Sequence, residues 1–541
     1  MRPAVLAGIG VVVIGGLVLL LRQGGGGGMV AGAGIDKLLA QLPAGTTATH
    51  GAVSFDPVAG TAAIEKLVVT RDGQTVFSAD SVKAAGIAGF STSAPPRRIG
   101  HITLTNVSAG QVYRHIGKVE IDGLAPATLQ EIFDPAAYPN GKPAWTEQRP
   151  VIDRLEITDV DGHQDVPPDQ RGTAHITGID IHAEHSVLTG LTARQFHAPH
   201  PADFDDPDFI ADVVTAFTEA TSKSENTSII AHGLGSMTIA TAAADGYANG
   251  KLDVEEASGI TLTAERAQGG ATLAHIAAKQ LDFSKLMAQL PAIMAAQKAH
   301  TPPPSLNGLM TLATFELTGL DADFHQAPKV TLAALTSHSE ADAGGARKTT
   351  AQMQDLAVLF TGRDVPPNVS ASLQRFGMQD FYIDQTSEIT QDTATGHVAL
   401  TRNDIALRGL GTLSTTFTLD NWKSGGGTPQ EIQANLRAAT VIGAQLTWQD
   451  ASLTGRLFHI AAQQSGKTES DLRQSVDRPL MMLGMFMPEQ PDASAQIDKF
   501  LDGRHQISIT VAPATPVTIG ALIDAPPQQK ASLLGLKISG S

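Results

Sequence analysis

Apolar and polar residues alternate in short runs along most of the chain, and turn residues separate these runs. In the run ITLTNV, the pattern places Ile102, Leu104 and Asn106 on one face and the intervening residues, including Val107, on the other. The run ISITV at residues 507–511 alternates in the same way. Such alternation is typical of strands in antiparallel sheets, which have one buried and one solvated face. We therefore predict an α+β, β-rich fold of long antiparallel sheets with a few packing helices.

The same pattern predicts further strands and four helical regions. The strands are expected at Ile64–Thr70, Lys118–Ile121, Leu155–Val160, Ile176–Ala183, Lys251–Ala264, His397–Thr418 and Gln433–Trp448. Apolar residues at helical spacing predict helices after Asp206-Pro207, over Leu281–Lys298 with a break near Pro291, over Leu453–Gln464 with a cap at Gly466, and from Thr468 towards Met485 followed by Ala493–Leu501.

The first residues form a long uncharged apolar run. Pro3–Leu21 contains no charged residue and is flanked by Arg2 and Arg22. At about 1.5 Å per residue its 19 residues span nearly the whole hydrocarbon core of a bilayer. The alternative is a signal peptide cleaved after the small residues Ala31–Ala33, which lie about ten residues beyond the apolar run. We predict an uncleaved transmembrane helix with the body outside the cytoplasm, which for a bacterial inner-membrane protein is the periplasm.

Proline clusters and two short repeats suggest how the body is divided. The run TPPP at residues 301–304 indicates a linker, so the predicted divisions are an anchor with a glycine linker at 1–30, a β-rich module at 31–300, and a second β-rich module with a helical C-terminal part at 301–541. KLLAQLPA at 37–44 is echoed by KLMAQLPA at 285–292, and GLGSMT at 233–238 by GLGTLS at 409–414. Two explanations of these repeats stay open, an internal duplication and chance similarity in an Ala-rich chain.

Composition narrows the function. The 541 residues carry a formal charge of −16 and no cysteine, which argues against nucleic-acid binding and excludes disulfides and thiolate metal sites. No G-x-S-x-G, HExxH or P-loop motif is present. We therefore expect a protein that is not an enzyme and holds no cofactor.

Histidine and aspartate residues offer one candidate metal site. His197, His200 and Asp203 lie in the run FHAPHPADFDDPDF and supply the donors that Zn²⁺ or Mn²⁺ accepts. The alternative is that the acidic residues cap the helix that follows. His182 and His185 lie in a predicted strand, where a spacing of three places them on opposite faces.

A methionine-rich segment offers a candidate apolar surface. Leu480–Met487 is the densest apolar cluster outside the anchor and includes Met481, Met482, Met485 and Phe486. It is interpreted either as a core helix packed on the sheet or as a surface that binds lipid or a partner, because methionine adapts to irregular apolar ligands.

Several segments resemble bacterial envelope proteins. Phe55–Ile87 resembles the repeated β-strand segments of AsmA-like proteins. A second resemblance, to the C-terminal module of uncharacterised alphaproteobacterial membrane-anchored proteins, covers Leu446–Val476, Phe500–Ile523 and Ser532–Ile538. The AsmA-like resemblance implies one N-terminal membrane helix, curved sheets with an apolar inner face, and a part in envelope or lipid homeostasis. The expected partners are the membrane and a lipid or envelope protein. A structural subunit of a membrane complex is the alternative.

Overall fold

A computed structural model describes residues 46–540, apart from residues 57, 89–95, 111, 134–136, 139–141, 168–175, 197–206, 302–308, 326, 343–344, 361–372, 424–428, 476–489, 491 and 503–504. Within these described residues, no helix combines the length and the apolar character that crossing a membrane requires. The predicted anchor, Pro3–Leu21, lies outside them. The described chain is β-rich and antiparallel with a few helices, as predicted.

The chain forms two compact units. Unit 1 contains the described residues up to Arg266 together with Lys279–Lys298 and Leu309–Thr311, and unit 2 contains most of the remainder. The division falls inside strand β12 (Gly269–Asp282).

Unit 1 is an antiparallel sheet with three helices. Its strands are β1 (Thr46–Thr49), β2 (Val53–Asp56), β3 (Thr61–Arg71), β4 (Gln74–Ala88), β5 (Arg98–Ala109), β6 (Tyr113–Leu124), β7 (Arg149–Asp165), β8 (Gly178–Ala193), β9 (Phe217–Ala231), β10 (Gly235–Ala248) and β11 (Lys251–Ala264). From β3 to β11 each strand pairs with the next along the chain, and β1 and β2 both pair with β3. The helices are α1 (Pro126–Phe133), α2 (Pro207–Ala216) and α3 (Ser284–Lys298).

Two lines of residues cross the unit 1 sheet and interrupt its alternation. On the first line, residues that face each other across successive strands are Lys66, Asp80, Asn106, Gly117, Asp159, Glu184, Asn226, Ala240 and Gly259. Every second member is left-handed, with φ from 48° to 62°. The second line has the same arrangement, but its left-handed residues lie on the strands β4, β6, β8 and β10. These residues are Gly86, Gly123, Gly190 and Gly246. Asparagine, aspartate and glycine adopt this conformation most readily.

Where either line crosses a strand, the alternation of side chains slips by one residue. The side chains that follow therefore point to the face opposite to the one that strict alternation would give them. In β5 the buried apolar residues are Ile99, Ile102, Leu104 and Val107, so their spacing is three, two, three rather than two throughout. The prediction that Asn106 shares a face with Leu104 is therefore wrong. Asn106 has φ of 48° and is exposed, its amide donates to Asp80 at 2.8 Å, and Val107 is buried instead.

The same reversal corrects the placement of two histidines in β8. Because the first line crosses β8 at Glu184, His182 and His185 both lie on the polar face rather than on opposite faces. His182 contacts Asp161 at 2.7 Å and His185 contacts Glu156 at 2.8 Å. They remain in separate ion pairs.

The core of unit 1 lies on the apolar face of β3–β8. Its members are less than a tenth exposed, and Ile102, Ile116, Val119, Ile121 and Leu124 are at most 1% exposed. Helix α1 packs on β5 and β7, and α2 packs on α3. Helix α3 runs through Pro291 without interruption, so the predicted break is absent.

Unit 2 consists of the antiparallel strands that follow β12 and of short C-terminal helices. Its strands are β13 (Thr314–Phe324), β14 (Lys329–Ala341), β15 (Arg347–Leu359), β16 (Asp380–Asp392), β17 (His397–Leu407), β18 (Gly411–Asp420), β19 (Thr440–Asp450), β20 (Gln506–Val511), β21 (Val517–Thr518) and β22 (Leu536–Gly540). Strands β13–β19 pair in chain order, and β20 pairs with β19. The helices are α4 (Pro429–Ala438), α5 (Leu453–Ser465), α6 (Ala493–Leu501), α7 (Ile519–Asp524) and α8 (Pro527–Leu533).

In unit 2, the predicted helices over Leu453–Gln464 and Ala493–Leu501 are confirmed and one predicted strand is corrected, and in unit 1 the helix predicted after Asp206-Pro207 is confirmed as α2. Helix α5 ends at Gly466, which has φ of 67°, and α6 has the predicted bounds. The predicted strand Gln433–Trp448 is wrong at its start, because residues up to Ala438 belong to α4. Pro429 at the first position of that helix, Glu431 in its first turn and Arg437 in its last turn all favour the helix.

The glycine-rich echo has the same local structure in both copies. Each copy forms the turn that precedes a strand, β10 in one case and β18 in the other. The first glycine has φ of 89° at Gly233 and 76° at Gly409, and the second has φ of 148° at Gly235 and 156° at Gly411. A Cβ on either second glycine would lie within 2.5 Å of a neighbouring backbone oxygen, which explains why both copies keep glycine there.

Candidate functional site

One face of the unit 2 sheet is apolar across all its long strands. Strand β18 shows the pattern most clearly, because Leu413, Phe417 and Leu419 alternate with serine and threonine. Leu413 pairs with Ile405 on one side and with Trp448 on the other. Directly paired residues of an antiparallel sheet point to the same face, so these side chains lie together.

Three rows of paired residues extend this face across the sheet. The central row crosses eight strands, and seven of its eight members are apolar: Leu317, Leu335, Met353, Gln385, Ile405, Leu413, Trp448 and Ile507. A flanking row consists of Ile389, Leu400, Phe417, Ala444 and Val511. The third row contains Leu320, Leu332, Leu356, Ile383 and Leu407. We call these three rows the apolar face.

Left-handed residues again keep the apolar side chains on one side. Gly319 has φ of 67° and lies between Leu317 and Leu320, and Asp355 has φ of 50° and lies between Met353 and Leu356. At each of these positions the spacing of apolar residues is three. The Asp355 backbone N–H donates to the Asp384 carboxylate at 2.7 Å, which holds the irregular register in place.

The apolar face is much more accessible than the core of unit 1. Every member of its central row is half-buried, and Leu446, which lies between the central and flanking rows, is 40% exposed. Large accessible apolar surfaces are uncommon on monomeric soluble proteins and mark binding surfaces. The face therefore has the character of a binding site for an apolar ligand.

The opposite face of the same sheet is polar. Lys348 contacts Glu388 at 3.1 Å, and Arg402 contacts Asp404 at 2.6 Å. The Lys348 ammonium lowers the pKa of Glu388, and a hydrogen bond from Ser414 lowers the pKa of Asp404. These carboxylates are charged at neutral pH, so both ion pairs lie on the side away from the apolar face.

The buried side of β20 differs from the prediction. Ser508 is only 5% exposed and its hydroxyl lies 2.8 Å from that of Thr447, whereas Ile507, Ile509 and Val511 are half-buried. Alternation is present as expected, but the isoleucines belong to the accessible apolar face. Helix α6 packs against β20 and β22.

The residues proposed from sequence as site candidates lie outside the described part of the chain. These are the metal candidates His197, His200 and Asp203 and the apolar candidates Met481, Met482, Met485 and Phe486. Sequence reasoning missed the apolar face, although the alternation in β18 and β19 was visible. The irregular spacing at Gly319 and Asp355 concealed its extent in β13 and β15.

Comparison with known proteins adds little about function. A family model described only as "Uncharacterized protein" matches residues 404–541, from the end of β17 to the C-terminus. No curated protein matches the chain. The matched part includes three of the eight strands that build the apolar face, β18, β19 and β20, and the last residues of β17. The resemblance to AsmA-like proteins stays a prediction.

Proposed function

We propose that this protein is a non-enzymatic, membrane-anchored envelope protein that holds the acyl chains of lipids against the apolar face of unit 2. The observation that carries the proposal is the central row, in which seven apolar side chains on eight adjacent strands are all half-buried. Acyl chains fit such a surface because, apart from Gln385, its three rows consist of apolar side chains. The predicted anchor at Pro3–Leu21 would keep this surface close to its lipid source.

The energy for binding comes from apolar area removed from water. Each methylene of an acyl chain that becomes buried contributes about 0.8 kcal/mol. Gln385 is the one polar member of the central row, and its side-chain amide donates to Asn403 at 2.9 Å. Because that donor is already satisfied within the protein, an acyl chain can lie along the row without leaving it unpaired.

A matched pair of substitutions tests the proposal. Leu413 and Thr412 are neighbours in β18, and they point to the apolar and polar faces respectively. Leu413→Asp would place a carboxylate where the acyl chain lies, so it should weaken binding of a fluorescent fatty acid by at least about tenfold. Thr412→Asp adds the same charge to the other face and should leave the affinity within about twofold.

The experiment uses the full chain extracted in mild detergent. Lipid extracts of the purified protein should contain stoichiometric lipid by mass spectrometry, and Thr412→Asp should retain it. Absence of lipid together with no uptake of the fatty acid would overturn the proposal. Equal loss in the two variants would show that the apolar face is not the binding surface. A stable co-purifying protein in place of lipid would favour the alternative of a structural subunit.

A further inference from the structure

Two histidines and an aspartate meet at one end of the unit 1 sheet. His163 is near the end of β7, Asp180 near the start of β8, and His232 directly after β9. Nδ1 of His163 lies 2.5 Å from one oxygen of Asp180, and Nε2 of His232 lies 2.6 Å from the other. All three potential ligand atoms lie within 4.8 Å of one another.

The strand register brings these side chains together. His163 and Asp180 are direct partners in the β7–β8 ladder. The His232 backbone N–H donates to Gly178 at 3.0 Å, and its carbonyl accepts from the N–H of Thr177 at 3.2 Å. A Cβ on Gly178 would lie 3.3 Å from the His163 ring and 3.5 Å from the His232 ring, so the glycine lets both imidazoles approach.

This arrangement differs from the other histidine–carboxylate pairs on the described strands. His101 pairs with Asp122, His182 with Asp161 and His397 with Asp420, and each of these carboxylates has one histidine. At Asp180 two imidazoles converge on one carboxylate. Within the described residues, this is the group of three potential ligands that is close enough to share a metal ion.

Asp165 contacts the second ring nitrogen of His163. Nε2 of His163 lies 3.1 Å from Oδ1 of Asp165, on the far side of the ring from Asp180. A carboxylate on the second nitrogen of a ligating histidine is the usual device that fixes its tautomer and orientation. Asp165 is therefore placed as a positioning residue.

We propose that His163, Asp180 and His232 bind a divalent transition-metal ion, with Zn²⁺ as the best fit to two imidazoles and one carboxylate. Three protein ligands leave a fourth position of a tetrahedral ion to water. The site is accessible, because the side chains of Asp180 and His232 are 37% and 45% exposed.

Protons compete with the metal at this site. A ligating imidazole must be neutral, so metal affinity should fall as the pH drops from 7.5 to 5.5. Binding at pH 7.5 should release protons, which gives a readout that does not depend on any activity.

The test uses the full chain without a polyhistidine tag, stripped with a chelator and titrated with Zn²⁺ by calorimetry. The wild-type protein should bind one equivalent, and His163→Gln or His232→Gln should weaken that binding by at least about tenfold. Asp165→Asn should keep the stoichiometry but weaken the affinity. His182→Gln is the matched control, since it removes a histidine paired with one carboxylate on the same sheet, and should change nothing.

Folding is monitored in parallel by thermal unfolding of each metal-free variant. Co²⁺ bound to the wild-type protein should show the visible absorption of a tetrahedral ion, and this absorption should be lost in His232→Gln. The proposal is overturned if the wild-type chain binds less than one equivalent, or if His163→Gln and His232→Gln bind as tightly as His182→Gln.

Discussion

The two lines of left-handed residues in unit 1 make a specific prediction about Gly190. Gly190 has φ of 63° and lies on the second line, where a Cβ would be 2.8 Å from the Cβ of Ala220 on the neighbouring strand. Gly190→Ala therefore adds two unfavourable effects, backbone strain and a close contact. Both arise from the crossing and not from loss of apolar burial.

The magnitude follows from these two effects. An L-residue with left-handed φ costs about 1–2 kcal/mol. Overpacking by one methyl group in a close-packed sheet costs roughly 1–3 kcal/mol. We therefore expect Gly190→Ala to lower the free energy of unfolding of unit 1 by about 2–5 kcal/mol. Gly110 has φ of 65° but nothing within 4 Å of its Cβ position, so Gly110→Ala should cost only the strain, about 1–2 kcal/mol.

Trp145 gives an assay that reports on unit 1 by itself. It is 8% exposed in the core, and replacing Trp422 and Trp448 by Phe leaves it as the single tryptophan. Urea unfolding is followed by its fluorescence in this background. Adding Ala220→Gly to Gly190→Ala should restore about 1–3 kcal/mol by removing the contact. If Gly190→Ala costs no more than Gly110→Ala, or if Ala220→Gly gives no rescue, the reasoning is refuted.

Two further predictions concern buried polar groups of unit 1. The Gln195 side chain is fully buried, accepts a hydrogen bond from the Ala144 N–H at 2.5 Å and donates one to the Glu131 carbonyl at 2.8 Å. Gln195→Ala should therefore lower the free energy of unfolding, measured in urea, by on the order of 3 kcal/mol. A decrease of less than about 1 kcal/mol would contradict this. Burial raises the pKa of Glu219 above its unfolded value, so its contribution to stability is lost as pH rises through the folded pKa. Glu219→Gln should therefore raise the melting temperature at pH 7.5 and have little effect at pH 4, and an equal gain at both values would exclude the charge as the cause.

Much of the fold could be predicted from the alternation of apolar and polar residues, but the face of the sheet to which each side chain points could not. The strands around Ile64–Thr70 and Leu155–Val160 are confirmed, although the first line crosses them at Lys66 and Asp159, because short stretches of alternation on either side of the crossing indicate a strand. The assignment failed at Asn106 and at His182 and His185, where a line of left-handed residues crosses the strand. Each such crossing shifts the following side chains to the other face, and only the cross-strand register shows where that happens.

The candidate site was less predictable than the fold. Leu413 and Phe417 are visibly alternating in the sequence, but their exposure depends on what packs over them, and alternation does not encode that. The cluster of His163, Asp180 and His232 spans 69 residues of sequence and matches no spacing motif. It exists because β7, β8 and β9 pair in register, so a local reading of the chain could not find it.

The fluorescence of Trp448 reports whether acyl chains bind at the apolar face. Trp448 lies in the central row and is half-buried, whereas Trp145 lies in the core of unit 1. Two full-length variants, each keeping only one of these tryptophans, are titrated with a fatty acid brominated along its chain, since bromine quenches indole fluorescence on contact. We expect saturable quenching of Trp448 and no quenching of Trp145. Absence of quenching at Trp448, or equal quenching of both, would contradict it.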